Sequence, residues 1–230
     1  MKGLLATVLV VAALLVGADR LALVIAEHQV ASKLQSFGGL STAPDVEIRG
    51  IPFLTQAVSG DYSDVEVSAS GVTAGGARIS SLAVALHGLH VPLSDAVSGS
   101  VQSVPVDRLT ATVLLSYADL QAQLRDRGLS LSAAGDRLRV TGSVTVLGRT
   151  VSASALSTVR LRGTDVVVTA TSFDVGNGAA SRALSAALAG RFDFVARVGT
   201  LPYGLRATGV RVTPSGIQAT AAASSVVLHS

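Results

Sequence analysis

The chain contains no cysteine and no tryptophan, and its only aromatic residues are five phenylalanines and three tyrosines among 230 residues. Without cysteine there are no disulfides, no thiolate metal sites, no Cys nucleophile and no lipidated N-terminal Cys. The redox environment therefore leaves no mark on the sequence. Lysine is nearly absent too, occurring only as Lys2 and Lys33. Beyond residue 33 a phosphate loop ending in Gly-Lys-Ser/Thr and a Schiff-base lysine are both excluded. Charged residues make up 14% of the chain and its net charge is +3, with arginines scattered singly between aspartates. No basic block exists to track a phosphate backbone, so nucleic acid is not an expected partner. A G-x-S-x-G nucleophile elbow is also missing.

What remains is aliphatic. Hydrophobic residues reach 49% while aromatics contribute 3%, so Val, Leu, Ile and Ala must fill the interior. Leu4 to Val16 is an apolar run of about 13 residues behind Lys2, and Val16-Gly17-Ala18 offers small residues to a signal peptidase before Asp19. A membrane-spanning helix needs about 20 apolar residues. Residues 1–18 are therefore expected to be a cleavable signal peptide, with an uncleaved anchor as the alternative because Leu21 to Ala26 resumes the apolar character. With Lys2 held inside, either version puts the rest on the outer face of the cytoplasmic membrane, secreted or N-terminally anchored. Residues 19–230 are long enough for a single α+β domain.

Periodicity divides that domain. Leu23, Ala26, Val30 and Leu34 recur at spacings of three and four, which predicts a helix over 19–36 ending at Gly38-Gly39. After Pro44 the period becomes two: Val46 and Ile48, then Val65, Val67 and Ala69, then Leu82, Val84 and Leu86 alternate with polar neighbours. A phase slip at His87-Gly88 predicts a bulge. Ser116 to Arg127 reads as a short helix capped by Ser116 with Asp119 in its first turn. A hairpin follows through the Gly135-Asp136 turn, then strands over 151–161 and 166–173, a second helix over Ala179 to Ala189, and closing strands joined by Pro214-Ser215-Gly216. The expected architecture is α+β: a strongly curved, mostly antiparallel sheet wrapped around or covered by the long N-terminal helix.

Few residues suggest chemistry. Gly176-Asn177-Gly178-Ala179-Ala180-Ser181 compares with the dinucleotide fingerprint but lacks its third glycine and any alternating strand-helix context. As a loop entering a helix, its free N–H groups at Asn177 and Gly178 could instead hold a lipid phosphate. His87 and His90 lack a third ligand at metal-binding spacing, so neither metal nor cofactor is expected. Asp95, Asp107 and Asp119 suit turns and caps. Gly50-Ile51-Pro52-Phe53-Leu54 is different, because it puts three large apolar side chains where a loop is normally polar. A buried plug and a hydrophobic lip facing a membrane are the two readings.

The segment VEIRGIPFLTQ from Val46 to Gln56, followed by Gly60 and Tyr62, resembles the signature of the actinobacterial LmeA-type (lipomannan elongation) phospholipid-binding family. Asp19-Arg20 with Ala26-Glu27 in the opening helix and Gly216-Ile217 near the end are similar as well, so the resemblance covers Asp19 to Leu228. It implies a cell-envelope protein that binds anionic or inositol-type phospholipids on a fold resembling half of a tubular lipid-binding domain. It implies no particular envelope glycan.

The physics is compatible with that. Sheltering two acyl tails of about 30 methylenes in all means recovering on the order of 24 kcal/mol. At about 25 cal/mol per Å² this asks for roughly 1,000 Å² of apolar wall. A curled sheet lined by small aliphatics can supply it. The expected lining is Leu82, Val84, Leu86, Val140, Val144, Val146 and Val168, with Phe53 and Leu54 at a mouth and Arg49, Asn177 and Gly178 at the headgroup. Non-enzymatic phospholipid binding or shuttling at the membrane surface is the expected function. The alternative is a structural or interaction module presenting a β surface to envelope polymers or protein partners, and a glycolipid enzyme ranks third.

Overall fold

Helix α1 runs without a break from Lys2 to Gly38, joining the apolar leader and the amphipathic segment that the sequence separates. The structure, a computed structural model, describes residues 2–38, 40–74, 77–123, 128–146, 149–175, 178–179, 192–197 and 200–229. Strand β1 (Asp45–Arg49) leads through the Gly50 corner into helix α2 (Phe53–Ser59), and β2 (Asp61–Ala74) and β3 (Ala77–His90) follow. Helix α3 (Leu93–Ser98) precedes β4 (Ser103–Ser116), and α4 (Tyr117–Gln123) precedes β5 (Ser130–Ala134). Next come β6 (Arg137–Val146), β7 (Arg149–Arg162), β8 (Asp165–Val175), the two-residue β9 (Gly178–Ala179) and β10 (Phe194–Arg197). A 3-10 turn at Pro202–Gly204 leads to β11 (Arg206–Thr213) and β12 (Gly216–His229).

The fold is α+β, with a long N-terminal helix and mostly antiparallel strands as expected, and the strands are divided between two sheets. The first has the order β1-β2-β3-β4-β12-β11, and the second β10-β8-β7-β6-β5 with β9 on β8. The break falls at α4. Ser116 Oγ accepts the Asp119 N–H at 3.1 Å and donates to Asp119 Oδ2 at 2.7 Å, a reciprocal cap that starts a helix and ends the run of β4. The chain then builds a second sheet, and the C-terminal hairpin supplies β4's other neighbour. The Gly135-Asp136 hairpin forms as its alternation requires, pairing Leu131 with Val140 and Ala133 with Leu138.

The chain divides into two compact units. The first comprises Met1–Ser70, Ala83–Thr110 and Ala223–Ser230, and the second Gly71–Leu82 and Ala111–Ala222. The core of the first includes Val46, Ile48, Phe53, Ala57, Tyr62, Val65, Leu86 and Val106. The second is built on Leu131, Leu138, Val140, Ala153, Ala155, Val168, Phe173, Phe192 and Ile217, with Tyr117 and Leu120 of α4 packed against them. With so few aromatics, each unit contains one ring pair: Phe53 with Tyr62 at 6.3 Å, and Phe173 edge-on to Phe192 at 5.7 Å. Small aliphatics complete both interiors.

Helices α2 and α3 are absent from the periodicity reading. Each is a helix of fewer than two turns between a proline and a glycine: Pro52 and Pro92 precede them, and Gly60 and Gly99 end them in the left-handed conformation. The helix expected over Ala179 to Ala189 lies outside the described residues except for Ala179, which with Gly178 pairs as a strand with Asp174 and Val175.

Candidate functional site: the corner joint and the half-open strands

The segment Val46 to Gln56 is a joint, and nearly every residue in it has a mechanical task. Val46 and Ile48 face the core, while Glu47 and Arg49 face out. Gly50 has φ of +113°, and a side chain there would strike Gln56 Nε2 at 2.5 Å. Gln56 closes the corner by donating to the Arg49 carbonyl at 3.3 Å and accepting the Ser63 N–H at 3.0 Å. Phe53 turns inward onto Tyr62, and burial raises the Tyr62 phenol above its ordinary pKa. Leu54 stays exposed.

Helix α1 fastens this joint at two points. Pro52 offers no side-chain cap to α2. Asp19, only 5% exposed, substitutes for it by accepting the Leu54 N–H at 2.8 Å while Arg20 donates to the same carboxylate at 2.6 Å. One face further along, Glu27 Oε1 accepts the Ile48 N–H at 2.9 Å. Ile48 lies on β1, the edge strand of its sheet, so Glu27 satisfies a backbone group that has no strand partner. This contact also rotates the helix. Ala31 is buried and Leu23, Ala26 and Glu27 are half-buried, whereas Val30 and Leu34, expected on the inner stripe, are exposed.

Arg49 sits among acids. Its guanidinium bonds Glu47 at 2.8 Å and Glu66 at 2.7 Å, with Asp64 at 3.6 Å. The hydrogen bond from Arg49 lowers the Glu47 pKa, and Glu47 in turn raises that of Arg49, with Glu66 and Asp64 adding to it. The arginine's charge is therefore already balanced. His87 Nδ1 lies 3.3 Å from Asp64, and His90 Nδ1 lies 2.9 Å from Asp61. No group of three His, Cys, Asp or Glu is placed to hold a metal among the described residues. Asp119 takes hydroxyl hydrogen bonds from Ser80 and Ser116, both at 2.7 Å, and these lower its pKa, with Arg78 assisting. Asp95 is in the first turn of α3, beside Ser94.

The expected lining residues fall into three sets. Leu82 and Val84 on β3 are half-buried. Leu86, Val140 and Val168 are buried, the last two at 0% and 1% exposure inside the second unit's core, and Phe53 is buried in the first. Val144 and Val146 pair in register with Val151 and Arg149 on β7; their side chains, and Asn177 altogether, lie outside the described residues.

Sequence reasoning missed a broader feature. In the second unit, residues 79–82 of β3, 111–116 of β4 and 218–222 of β12 are all half-buried, with no fully buried position. Ile79, Leu82, Val113, Leu115, Ala219 and Ala221 belong to this set, on strands that neighbour one another inside a six-stranded sheet. Central strands normally bury one face. The lack of large aromatics in these strands is the only sequence signal for it.

A helix fastened to a sheet corner in the first unit, and strands with incompletely covered aliphatic residues in the second, belong to an α+β protein. Consistent with this, residues 17–222 match the model of the LmeA-like phospholipid-binding family, and the chain belongs to that family. Comparison with curated proteins and with solved structures gave no match. The residues on which the sequence resemblance was drawn include the fasteners described above: Asp19, Glu27, Gly50, Gln56, Gly60 and Tyr62. Gly216 and Ile217 act likewise in the second unit, where a side chain at Gly216 would run into the Leu115 carbonyl and Ile217 enters the core.

Proposed function

We propose that the protein is a non-enzymatic phospholipid carrier or holder at the outer face of the cytoplasmic membrane, contacting acyl chains through the half-open aliphatic strands. One observation carries the reading: within a phospholipid-binding family, the central strands of the six-stranded sheet leave Ile79, Leu82, Val113 and Leu115 partly uncovered. Strand β7, wholly within the second unit, is 14 residues long. At about 3.3 Å per residue it spans roughly 46 Å, longer than the roughly 30 Å hydrocarbon thickness of a bilayer. An extended acyl chain fits along such a strand.

In the second unit the proposed acyl contacts are led by Leu82, with Val144 and Val146 on β6, while Val140 and Val168, buried in the core, would back the wall without touching lipid. In the first they are Val84 and Leu86, with Phe53 and Leu54 at the corner. Headgroup contacts are proposed at Arg49, where a phosphate would have to compete with three carboxylates, and separately at Asn177 and Gly178. Residues 1–18 serve as signal peptide or anchor, and residues 19–230 act as one functional domain. The lipid class proposed is anionic or inositol-type.

The test is extraction of a fluorescent phospholipid from donor vesicles. Wild-type protein is expected to remove labelled lipid in proportion to its concentration, and a Leu82→Asp, Val113→Asp double variant to lose most of that capacity. Equal extraction by the double variant would remove these strands from the binding surface.

A further inference from the structure

Phe53 and Ala57 of α2 face the core, but the other large apolar side chains of α2 and α3 are exposed. Ile51, Val58 and Val97 are 85%, 73% and 79% exposed, and Leu54 and Leu93 are also exposed. The two helices are held together where Val91 N–H donates to the Gly60 carbonyl at 2.8 Å. Four large aliphatics on two packed helices, with Ile51 just before α2, are too concentrated for scattered surface residues.

The occupant follows from where α1 meets the patch. From Leu4 to Ser36 the helix is long and apolar enough, by length and composition, to cross a membrane. Residues 4–18 are all exposed, and inward-facing contacts begin at Asp19. Lys2 and Arg20 bracket the exposed run, and 18 residues at about 1.5 Å each separate them by about 27 Å, close to the roughly 30 Å of a hydrocarbon core. Arg20 thus sits at the depth where a snorkelling cation meets headgroups. Asp19, its neighbour, is bonded to the Leu54 N–H at 2.8 Å. That hydrogen bond fixes α2 at the same depth. On the continuation of α1, Leu21, Val24 and Ile25 are exposed as well, so exposed apolar surface continues along α1 past the level at which Asp19 is bonded to α2.

We propose that α2 and α3 form an interfacial docking face, seated in the headgroup boundary of the bilayer that α1 enters, with Ile51, Val58 and Val97 as its inserted side chains. The proposal rests on α1 reaching the bilayer, and it is independent of where acyl chains bind in the sheet.

The absence of native cysteine makes the test direct. Val58→Cys and Val97→Cys, each in the full chain, are labelled with a polarity-sensitive fluorophore and reconstituted into vesicles of phosphatidylcholine with a minority of phosphatidylglycerol. The expected result is a blue shift at Val58, loss of quenching by aqueous iodide, and stronger quenching by a nitroxide near the headgroup than by one at the acyl terminus. Val97 is expected to follow, and it decides the matter if Val58→Cys fails to fold. A label at Val58 that stays iodide-accessible while α1 resists carbonate extraction overturns the proposal and leaves the face to a protein partner. Lipid co-purified with the same samples is measured separately, so a water-exposed corner on a lipid-loaded protein sinks this inference alone, and a lipid-free protein with a buried corner sinks only the binding function.

Discussion

Gly60 ends α2 with φ of +76°, and any side chain on it would meet the Val91 carbonyl at 2.9 Å. Gly60→Ala therefore combines a left-handed conformation with a backbone collision, and about 2 kcal/mol of stability is expected to be lost. Chemical denaturation checks this; an unchanged midpoint would mean that α2 and α3 separate freely. Ser157 presents the opposite case. Its hydroxyl is fully buried on β7, with no hydrogen-bond partner among the described residues. Removing an orphan polar group while keeping the shape is neutral to favourable, so Ser157→Ala is expected to gain up to about 1 kcal/mol and raise the melting temperature. A loss would show that the hydroxyl has a partner in solution. Asp119 gives a pH signature. Its folded pKa is lowered from 3.8 by Ser80 and Ser116, so its contribution is present above that value and is lost as pH falls below it. Asp119→Asn is expected to be less stable than wild type at neutral pH and to show a shallower loss in acid, measured by thermal melts across the acid range.

At the scale of elements, the helix-corner joint is the feature on which the first unit depends. Glu27→Ala leaves the Ile48 N–H of an edge strand without its acceptor, and a loss of about 1 kcal/mol is expected, with faster amide exchange concentrated at Ile48. Exchange unchanged at that amide would show that water replaces the carboxylate at no cost. The sequence made some of this legible and hid the rest for physical reasons. Alternation in β1, β2 and the Gly135-Asp136 hairpin states which residues face inward, because a strand's period is fixed by the pleat. The cap at Ser116 is local and readable for the same reason. Helices α2 and α3 span only one or two turns, too few for a 3.6-residue period to show. The roles of Asp19 and Glu27 are long-range, joining residues 35 and 21 positions apart. No spacing rule reaches across such a gap; only the family resemblance pointed to those residues. The division of the strands between two sheets was invisible because β4 and β12 become neighbours across a hundred residues.

For the whole molecule, the composition and the exposed strands point the same way. A chain with 3% aromatics uses four of its rings in two core pairs and leaves its central strands lined by small, partly uncovered aliphatics. In water that surface is unfavourable, at about 25 cal/mol for every Å² left open, and a bound acyl chain would remove the cost. The decisive measurement is native mass spectrometry of the full chain, extracted gently from membranes. Protein carrying one or more phospholipids, released on gas-phase activation and identified by their headgroups, is the predicted outcome. Protein that flies without lipid, and stays lipid-free after incubation with vesicles, would contradict the account.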